Sequence, residues 1–475
     1  MEAAPASRLG IVAIDAAGTR REWHYGELIA RSAGLSGAMA ARGVERGDAV
    51  MTLVGSRIEW VLAMLSCFRM GAVAMPCNPQ LRRKDLEVRA RAANPKLCIG
   101  EEGLLGELPE GIPAMTMAEI ADALDEDRPQ ETPADVARLD AEDPAVIIFT
   151  SGTSGEPKGV LYPQRYLIGQ HLQAEHWVGA RKGELAWCTA APGWSKSTRN
   201  AFIAPWLRGA AALIHDARFD PAERLGIVER EGVNVLCQAP TEYRMLAKRT
   251  ELRPIGPLRR MLSAGEPLNP DVIRAFREAM GIGIGDGYGQ TETGPMTGMR
   301  PDEDDPERDG SMGRPLPDIG VRVADGELQV RPETVPTFFS RYVGEEPFEG
   351  EWWPTGDHVR QDEDGYLWFE GRDDDIIITA GYRVGPFEVE SALVSHPAVA
   401  EAAAVPAPDE ERGSIVRAIV VLADGEPSHE LAAELQDHVK RVTAPYKYPR
   451  IVEFTDELPK SPSGKIRRAA LRGGG

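Results

Sequence analysis

At 475 residues the chain exceeds the roughly 250–300 residues at which one hydrophobic core stops growing, so a large unit plus a smaller one is expected. Its formal net charge of −20 disfavours nonspecific attraction to nucleic acid or anionic membrane, so an anionic ligand has to be met by local positive groups. Five scattered cysteines without metal-ligand spacing, no cationic start leading into an apolar stretch, and no run near 18 apolar residues point to a cytoplasmic protein with reduced core thiols, neither secreted nor membrane-spanning.

In chain order, apolar periodicity predicts helices over Tyr25–Ala41, Ile58–Met70 and 84–93, alternating with short apolar strands at 49–54, 72–75 and 96–99. That alternation is the rhythm of helices flanking a mostly parallel sheet. Residues 101–143, rich in Glu, Asp and Pro, are expected to cross the surface before a buried strand at 145–149. The rhythm resumes at 233–237 and 260–263, then turns β-like where Val321, Val323, Leu328 and Val330 alternate, which predicts a β-barrel-like or sheet annex near 310–370. Past Gly371-Arg372-Asp373-Asp374-Asp375 a smaller α+β unit is expected, with helices from Pro386 and Glu430 and a strand at 416–422. The division expected is 1–372 and 373–475. The fold class is α/β, a large N-terminal domain of helix-flanked, mostly parallel sheets with the annex, plus a small mobile C-terminal domain.

Behind the strand at 145–149 stands Thr150-Ser151-Gly152-Thr153-Ser154-Gly155-Glu156-Pro157-Lys158-Gly159. Its hydroxyls and backbone N–H groups can donate to phosphate oxygens, its glycines let the backbone approach them, and Lys158 adds a compact positive charge. It is not a Walker A loop, because Pro157 stands where that motif needs glycine and Gly159 where it needs Ser or Thr. In Asp286-Gly287-Tyr288-Gly289-Gln290-Thr291-Glu292, Thr291 can donate to a phosphate and Glu292 offers a hard oxygen for Mg²⁺. No glycine there completes Gly-x-Gly-x-x-Gly, so a dinucleotide fold is unsupported. Asp357 and Arg372 are a carboxylate and a guanidinium suited to ribose hydroxyls. His358, beside Asp357, is assigned no role. Residues 440–475 carry nine Lys or Arg against three acids, a local positive field inside an acidic protein. Coenzyme A suits it better than nucleic acid, for which no motif is present.

These segments, in this order, resemble the adenylate-forming superfamily of acyl-CoA synthetases, luciferases and peptide-synthetase adenylation domains. The stretches 380–393 and 442–450 are most similar to the medium-chain acyl-CoA synthetases. The resemblance implies an AMP-forming acid:CoA ligase that uses ATP, Mg²⁺ and coenzyme A, passes through an acyl-adenylate, and acts on medium-chain or branched acids. It implies that Thr150, Ser151, Gly152, Thr153, Ser154, Gly155 and Lys158 hold ATP phosphates. Gly265, Glu266 and Pro267, with Asp286, Gly287, Gly289 and Gln290, line the adenine pocket, and Tyr288 stacks on the base. Thr291 and Glu292 meet the α-phosphate and Mg²⁺, Asp357 and Arg372 take the ribose, and Lys465 is the catalytic lysine.

For coenzyme A the resemblance implies Ala380, Gly381, Tyr382, Arg383, Arg412, Lys440 and Tyr448, reached by rotation about a hinge at Asp374. For the acyl group it implies Trp194 and Gly289, the latter where acetyl-specific relatives carry tryptophan. It further implies a homodimer as a possible assembly and Lys465 as a target of a lysine acetyltransferase and deacetylase. Two other readings stay open: an adenylating enzyme with an acceptor other than CoA, and a catalytically silent adenylate-binding relative.

Overall fold

The computed structural model describes residues 4–125, 132–150, 157–303, 305–379, 382–409, 412–460 and 466–472. In a seven-stranded sheet Ala49–Leu53 is an inner strand, paired in parallel with the central Val73–Pro76 on one side and Leu97–Gly100 on the other. All three strands are buried along their whole length, as befits parallel strands covered on both faces. Helices Tyr25–Ala41 and Ile58–Met70 cover one face, with Leu28, Leu35, Trp60 and Leu62 in the core, and Leu86 of helix Arg83–Ala93 packs with Met51 on the other.

A nine-stranded sheet carries Leu185–Cys188, Val235–Gln238, Arg260–Ala264 and Ile284–Gln290 side by side and parallel. Gln238, Ser263 and Asp286 stand in register, so the C-terminal ends of these strands open at one edge. Ligands of open α/β sheets bind outside such carboxyl ends. The annex is a four-stranded antiparallel sheet of Val321–Ala324, Glu327–Val330, Trp353–Gln361 and Leu367–Arg372.

The smaller unit has its own core, in which Val389, Val405 and Val420 belong to helix Pro386–Val394 and strands Val399–Asp409 and Gly413–Leu422. Ile377 is its first buried member, whereas Leu367 is the last of the large core. All five cysteines are free and buried. Among the described residues no helix is long and apolar enough to cross a membrane.

The described part of the acidic stretch 101–143 is more ordered than its composition implies. It contains helices Glu102–Leu105 and Met117–Leu124 and an edge strand, Ala114–Thr116, parallel to Leu97–Gly100. Thr116 caps the second helix by accepting from the Glu119 N–H at 3.2 Å, while Glu119 accepts from the Thr116 N–H at 2.8 Å. This reciprocal capping box is a local signal that the Asp, Glu and Pro content hides.

Trp177, on the π-helical turn Ala174–Val178, wedges its indole against the site-bearing strands. A Cβ at Gly298 would lie 2.5 Å from the Trp177 ring, and one at Gly287 would lie 2.7 Å from it. Both strands are therefore held to glycine by close approach. Gly298→Ala is expected to overpack this contact and cost roughly 1–3 kcal/mol, read as a lower urea midpoint with a shifted tryptophan emission.

Candidate active site

The strand Ile284–Gln290 delivers its last residues into a cleft of about 1990 Å³ lined by both units. Tyr288 donates its hydroxyl to Asp357 Oδ2, and Gln290 Nε2 donates to the same oxygen at 2.9 Å. Arg372 Nε reaches Asp357 Oδ1 at 3.0 Å. Asp357 and Arg372 face each other across the antiparallel annex pair, so strand register sets this contact. The Asp357 side chain is only 7 % exposed, which distinguishes the pair from a surface ion pair of little worth. Asp357 receives three donors on two oxygens before any ligand arrives, and the Tyr288 ring is fixed through its hydroxyl. Burial, then the Asp357 charge, raises the Tyr288 phenol well above its ordinary range.

Glu292 stands on the turn beyond, with Oε1 accepting from the Tyr342 hydroxyl at 2.9 Å. Among the described residues no partner holds its other oxygen, so this carboxylate suits a hard cation. Lys158 lies 4.6 Å from the centre of the Tyr342 ring and 2.8 Å from Glu345 Oε1. One tyrosine thus spaces the lysine from the carboxylate. Thr291 borders the same corner, and its backbone carbonyl accepts from the Tyr162 hydroxyl.

Thr150, Trp194, Gly265, Glu266 and Pro267 line the cleft, as do Asp286, Gly287 and Gly289. Glu266 is anchored by Arg244 at 3.2 Å and Thr241 at 3.3 Å. Gly289 has a second constraint invisible in the sequence. A Cβ there would lie 2.0 Å from the Gly294 carbonyl, at the irregular register between Ile284–Gln290 and Gly294–Gly298. The hairpin itself demands glycine, as well as any acyl group.

The small unit adds Lys460, Ile466, Arg467 and Arg468 to the cleft wall. Arg468 is fixed by Glu390, with Nη2 at 2.7 Å from Oε2 and Nε at 3.0 Å from Oε1. Lys248 Nζ crosses to the Val399 carbonyl at 3.0 Å, and Asn269 Nδ2 to Ser391 Oγ at 3.1 Å. Lys465, Ser151, Gly152, Thr153, Ser154, Gly155, Ala380 and Gly381 lie outside the described residues.

Of the remaining coenzyme A candidates, Tyr382, Arg412, Lys440 and Tyr448 do not line this cleft. Tyr382 is exposed and stacks on Tyr446 at 4.6 Å. Lys440 sits 4.3 Å from the centre of the Tyr448 ring and 2.8 Å from Asp437. Arg412 follows strand Val399–Asp409, its N–H donating to Asp409 at 2.8 Å. The backbone of Arg383 pairs with Ile378.

Sequence reasoning missed Tyr342, Lys196 and Arg199. Lys196 Nζ donates to the carbonyls of Gln238 at 2.8 Å and Ala264 at 3.1 Å, tying two strand ends together. The available signal was two cations within one short segment between Trp194 and Phe202.

A family model described as AMP-binding enzyme matches residues 2–352, and one described as AMP-binding enzyme C-terminal domain matches 388–465. The chain belongs to the AMP-binding enzyme family. It is 39 % identical over 489 residues to an uncharacterised acyl-CoA ligase of Bacillus subtilis, covering 96 % of this chain and 91 % of that one. Against the mitochondrial acyl-coenzyme A synthetase ACSM3 of Mus musculus it is 35 % identical over 501 residues, covering 97 % and 85 %. A solved anthranilate CoA ligase in complex with anthranoyl-AMP superposes with a TM-score of 0.87 at 28 % identity, covering 98 % and 94 %. This family member is an AMP-forming acyl-CoA ligase, and ligases of this kind take ATP, Mg²⁺ and coenzyme A.

Asp286 is buried where the cleft meets the sheet. Burial pushes its carboxyl up to about 8, against the opposing pull of the Gly287 N–H and of Lys196. Its unfolded value is about 3.9, so between about pH 4 and 8 the folded chain binds the extra proton and stability falls as pH rises. Asp286→Asn is expected to remove that slope, at most roughly 1.4 kcal/mol per pH unit. Chemical unfolding of both proteins at pH 5 and pH 8 should show the variant gaining on the parent at the higher pH; a constant difference would refute the assignment.

Proposed function

We propose that this acyl-CoA ligase activates a medium-chain or branched carboxylic acid in the cleft between residues 1–372 and 373–475. The observation that carries the reading is the meeting of Tyr288, Asp357, Arg372, Glu292 and Lys158 in one cleft, with an aromatic face, ribose partners, a hard carboxylate and a phosphate-seeking cation.

Tyr288 stacks on the adenine, and Asp357 with Arg372 binds the ribose hydroxyls. Thr150, Lys158 and the loop between them hold the phosphates. Thr291 and Glu292 are the residues that would hold Mg²⁺, which supplies charge neutralisation to the phosphates. The acid enters past Trp194 and Gly289, and one of its carboxylate oxygens attacks the α-phosphorus while pyrophosphate leaves. Lys465 positions carboxylate and α-phosphate and stabilises the charge that develops. The sulfur of coenzyme A then attacks the acyl carbon, loses its proton and expels AMP.

The described neighbours of Lys465 line the cleft, whereas Tyr382, Lys440 and Tyr448 face elsewhere. This arrangement suits the adenylating half-reaction. The thiolating half-reaction follows rotation about Asp374, which brings the segment of Ala380, Gly381, Tyr382 and Arg383, together with Arg412, to the cleft. Five buried free thiols accord with a cytoplasmic setting. A homodimer and reversible acetylation of Lys465, which would remove its charge, belong to the same proposal.

The test is incubation with ATP, Mg²⁺ and a panel of acids, with and without CoA, following AMP, acyl-AMP and acyl-CoA by mass spectrometry. Thioester should appear only with CoA; acyl-AMP that never becomes thioester would point to another acceptor, and no turnover to a silent relative. Lys465→Ala should lose adenylation by about 10²–10³-fold yet convert supplied acyl-AMP to thioester. Equal loss in both halves would refute its role. Acetylated enzyme should regain adenylation on treatment with a deacylase.

A further inference from the structure

The helix Ser195–Asn200 follows Trp194 along the inner wall of the cleft, and it is buried on more sides than an amphipathic surface helix would be. Arg199, only 6 % exposed, lines the cleft. Its Nη1 donates to Ser195 Oγ at 2.8 Å, and its Nε has no hydrogen-bond partner. Among the described residues no carboxylate pairs with it. Two other buried arginines have an acid within reach: Arg224 lies 3.1 Å from Glu242, and Arg417 lies 3.9 Å from Glu453. The buried Tyr166 hydroxyl stands beside Arg199 and Ser195, and it brings no negative charge to the guanidinium.

A guanidinium taken out of water without a counter-charge is strongly unfavourable, and removal of one partner of a buried pair shows how much the missing anion matters. The missing anion here is most simply one that enters with the substrate. Location narrows which one. Ser195 Oγ lies 3.3 Å from the Tyr162 hydroxyl, which in turn donates to the Thr291 carbonyl. Arg199 is therefore set back, behind Ser195 and Tyr162, from the corner where Thr291 and Glu292 stand. It shares the cleft wall with Trp194 and Gly289, the acyl side of the site. Lys196 adds positive potential, although its ammonium is already engaged by two carbonyls.

We propose that Arg199 is a specificity-determining residue that binds the distal carboxylate of the acid, so that the substrate class is a dicarboxylic acid. This rests on the acid:CoA ligase reading above and narrows it. One carboxylate of the diacid is adenylated and then thioesterified, while the other stays ionised against the guanidinium, so no further co-reactant is needed. A planar guanidinium matches a carboxylate with two parallel donors. A site built around such a group rejects the analogue that lacks the acceptor far more strongly than an apolar pocket rejects a missing methylene.

The experiment compares kcat and KM for straight diacids of four to eight carbons, their monomethyl esters and monocarboxylic acids of equal length, in the parent enzyme, Arg199→Leu and Arg199→Lys. The parent should favour a diacid over its monomethyl ester by about 100-fold or more, chiefly through KM for the acid. Arg199→Leu should lose that preference, accept the monocarboxylic acid and leave KM for ATP unchanged, while Arg199→Lys keeps part of it. A parent enzyme that prefers monocarboxylic acids, or a preference untouched in both variants, overturns the proposal. So does a rise in KM for ATP in place of KM for the acid, which would put Arg199 on the nucleotide. Melting curves check the fold of each variant; should the leucine protein not fold, the parent's diacid-to-ester ratio and the lysine variant decide. Absence of turnover with every acid would instead overturn the ligase reading on which the inference rests.

Discussion

One buried carboxylate ties the nine-stranded sheet to the annex, close to where the chain leaves the large unit. Asp357 accepts from Tyr288, Gln290 and Arg372, and those donors come from the nine-stranded sheet and from the adjacent strand of the annex. The neighbouring His358, buried, meets Asp373 at 2.6 Å, and the Asp373 N–H donates to the Gly356 carbonyl at 2.8 Å. The chain therefore leaves the large unit from a fixed point directly behind Asp357 and Arg372. For the rotation proposed about Asp374, the base is already tied down, so the proposed nucleotide contacts would not be rebuilt with each movement.

The electrostatic design follows from the same economy. A protein of net charge −20 repels its own anionic substrates at long range, and binding has to come from groups concentrated at the cleft. Lys158, Arg372, Arg468 and Lys460 border it from both units, each restrained by an acid: Glu345 at 2.8 Å, Asp357 at 3.0 Å, and Glu390 and Glu401 at 2.7 Å. Such pairing orients the cations without neutralising the whole site, and the partly buried Arg372 and Arg468 are less screened than surface charges. Asp286 adds the opposite case, a carboxyl kept largely protonated near neutrality by burial, which can sit beside a nucleotide without repelling it.

Much of this was legible in order of sequence. Helices Tyr25–Ala41 and Ile58–Met70 and the strands at 49, 97, 144 and 260 follow from apolar periodicity, because each buries a face against a large core and periodicity records burial. The stretch after residue 101 was not legible as structure, since its helix is set by the Thr116 and Glu119 cap and its strand by pairing with Leu97–Gly100, not by composition. The residues of the nucleotide motifs converge on the cleft wherever they are described, because chemistry at a phosphate or a ribose restricts residue type over several consecutive positions.

The sequence by itself determined the family, the large and small units, and the acid:CoA ligase activity, since these are written in contiguous motifs. Only the tertiary structure decided that Asp357 is a buried hub, that Tyr342 stands between Lys158 and Glu292, that Gly289 is required by its own hairpin, and that Arg199 is a buried cation with no acid against it among the described residues. The physical reason is that partnership and burial are properties of residues distant in the chain. Tyr342 and Glu292 are fifty positions apart, and nothing local to Arg199 tells whether a carboxylate folds against it. A motif records what a residue can do; the packed fold decides what is left for a ligand to complete.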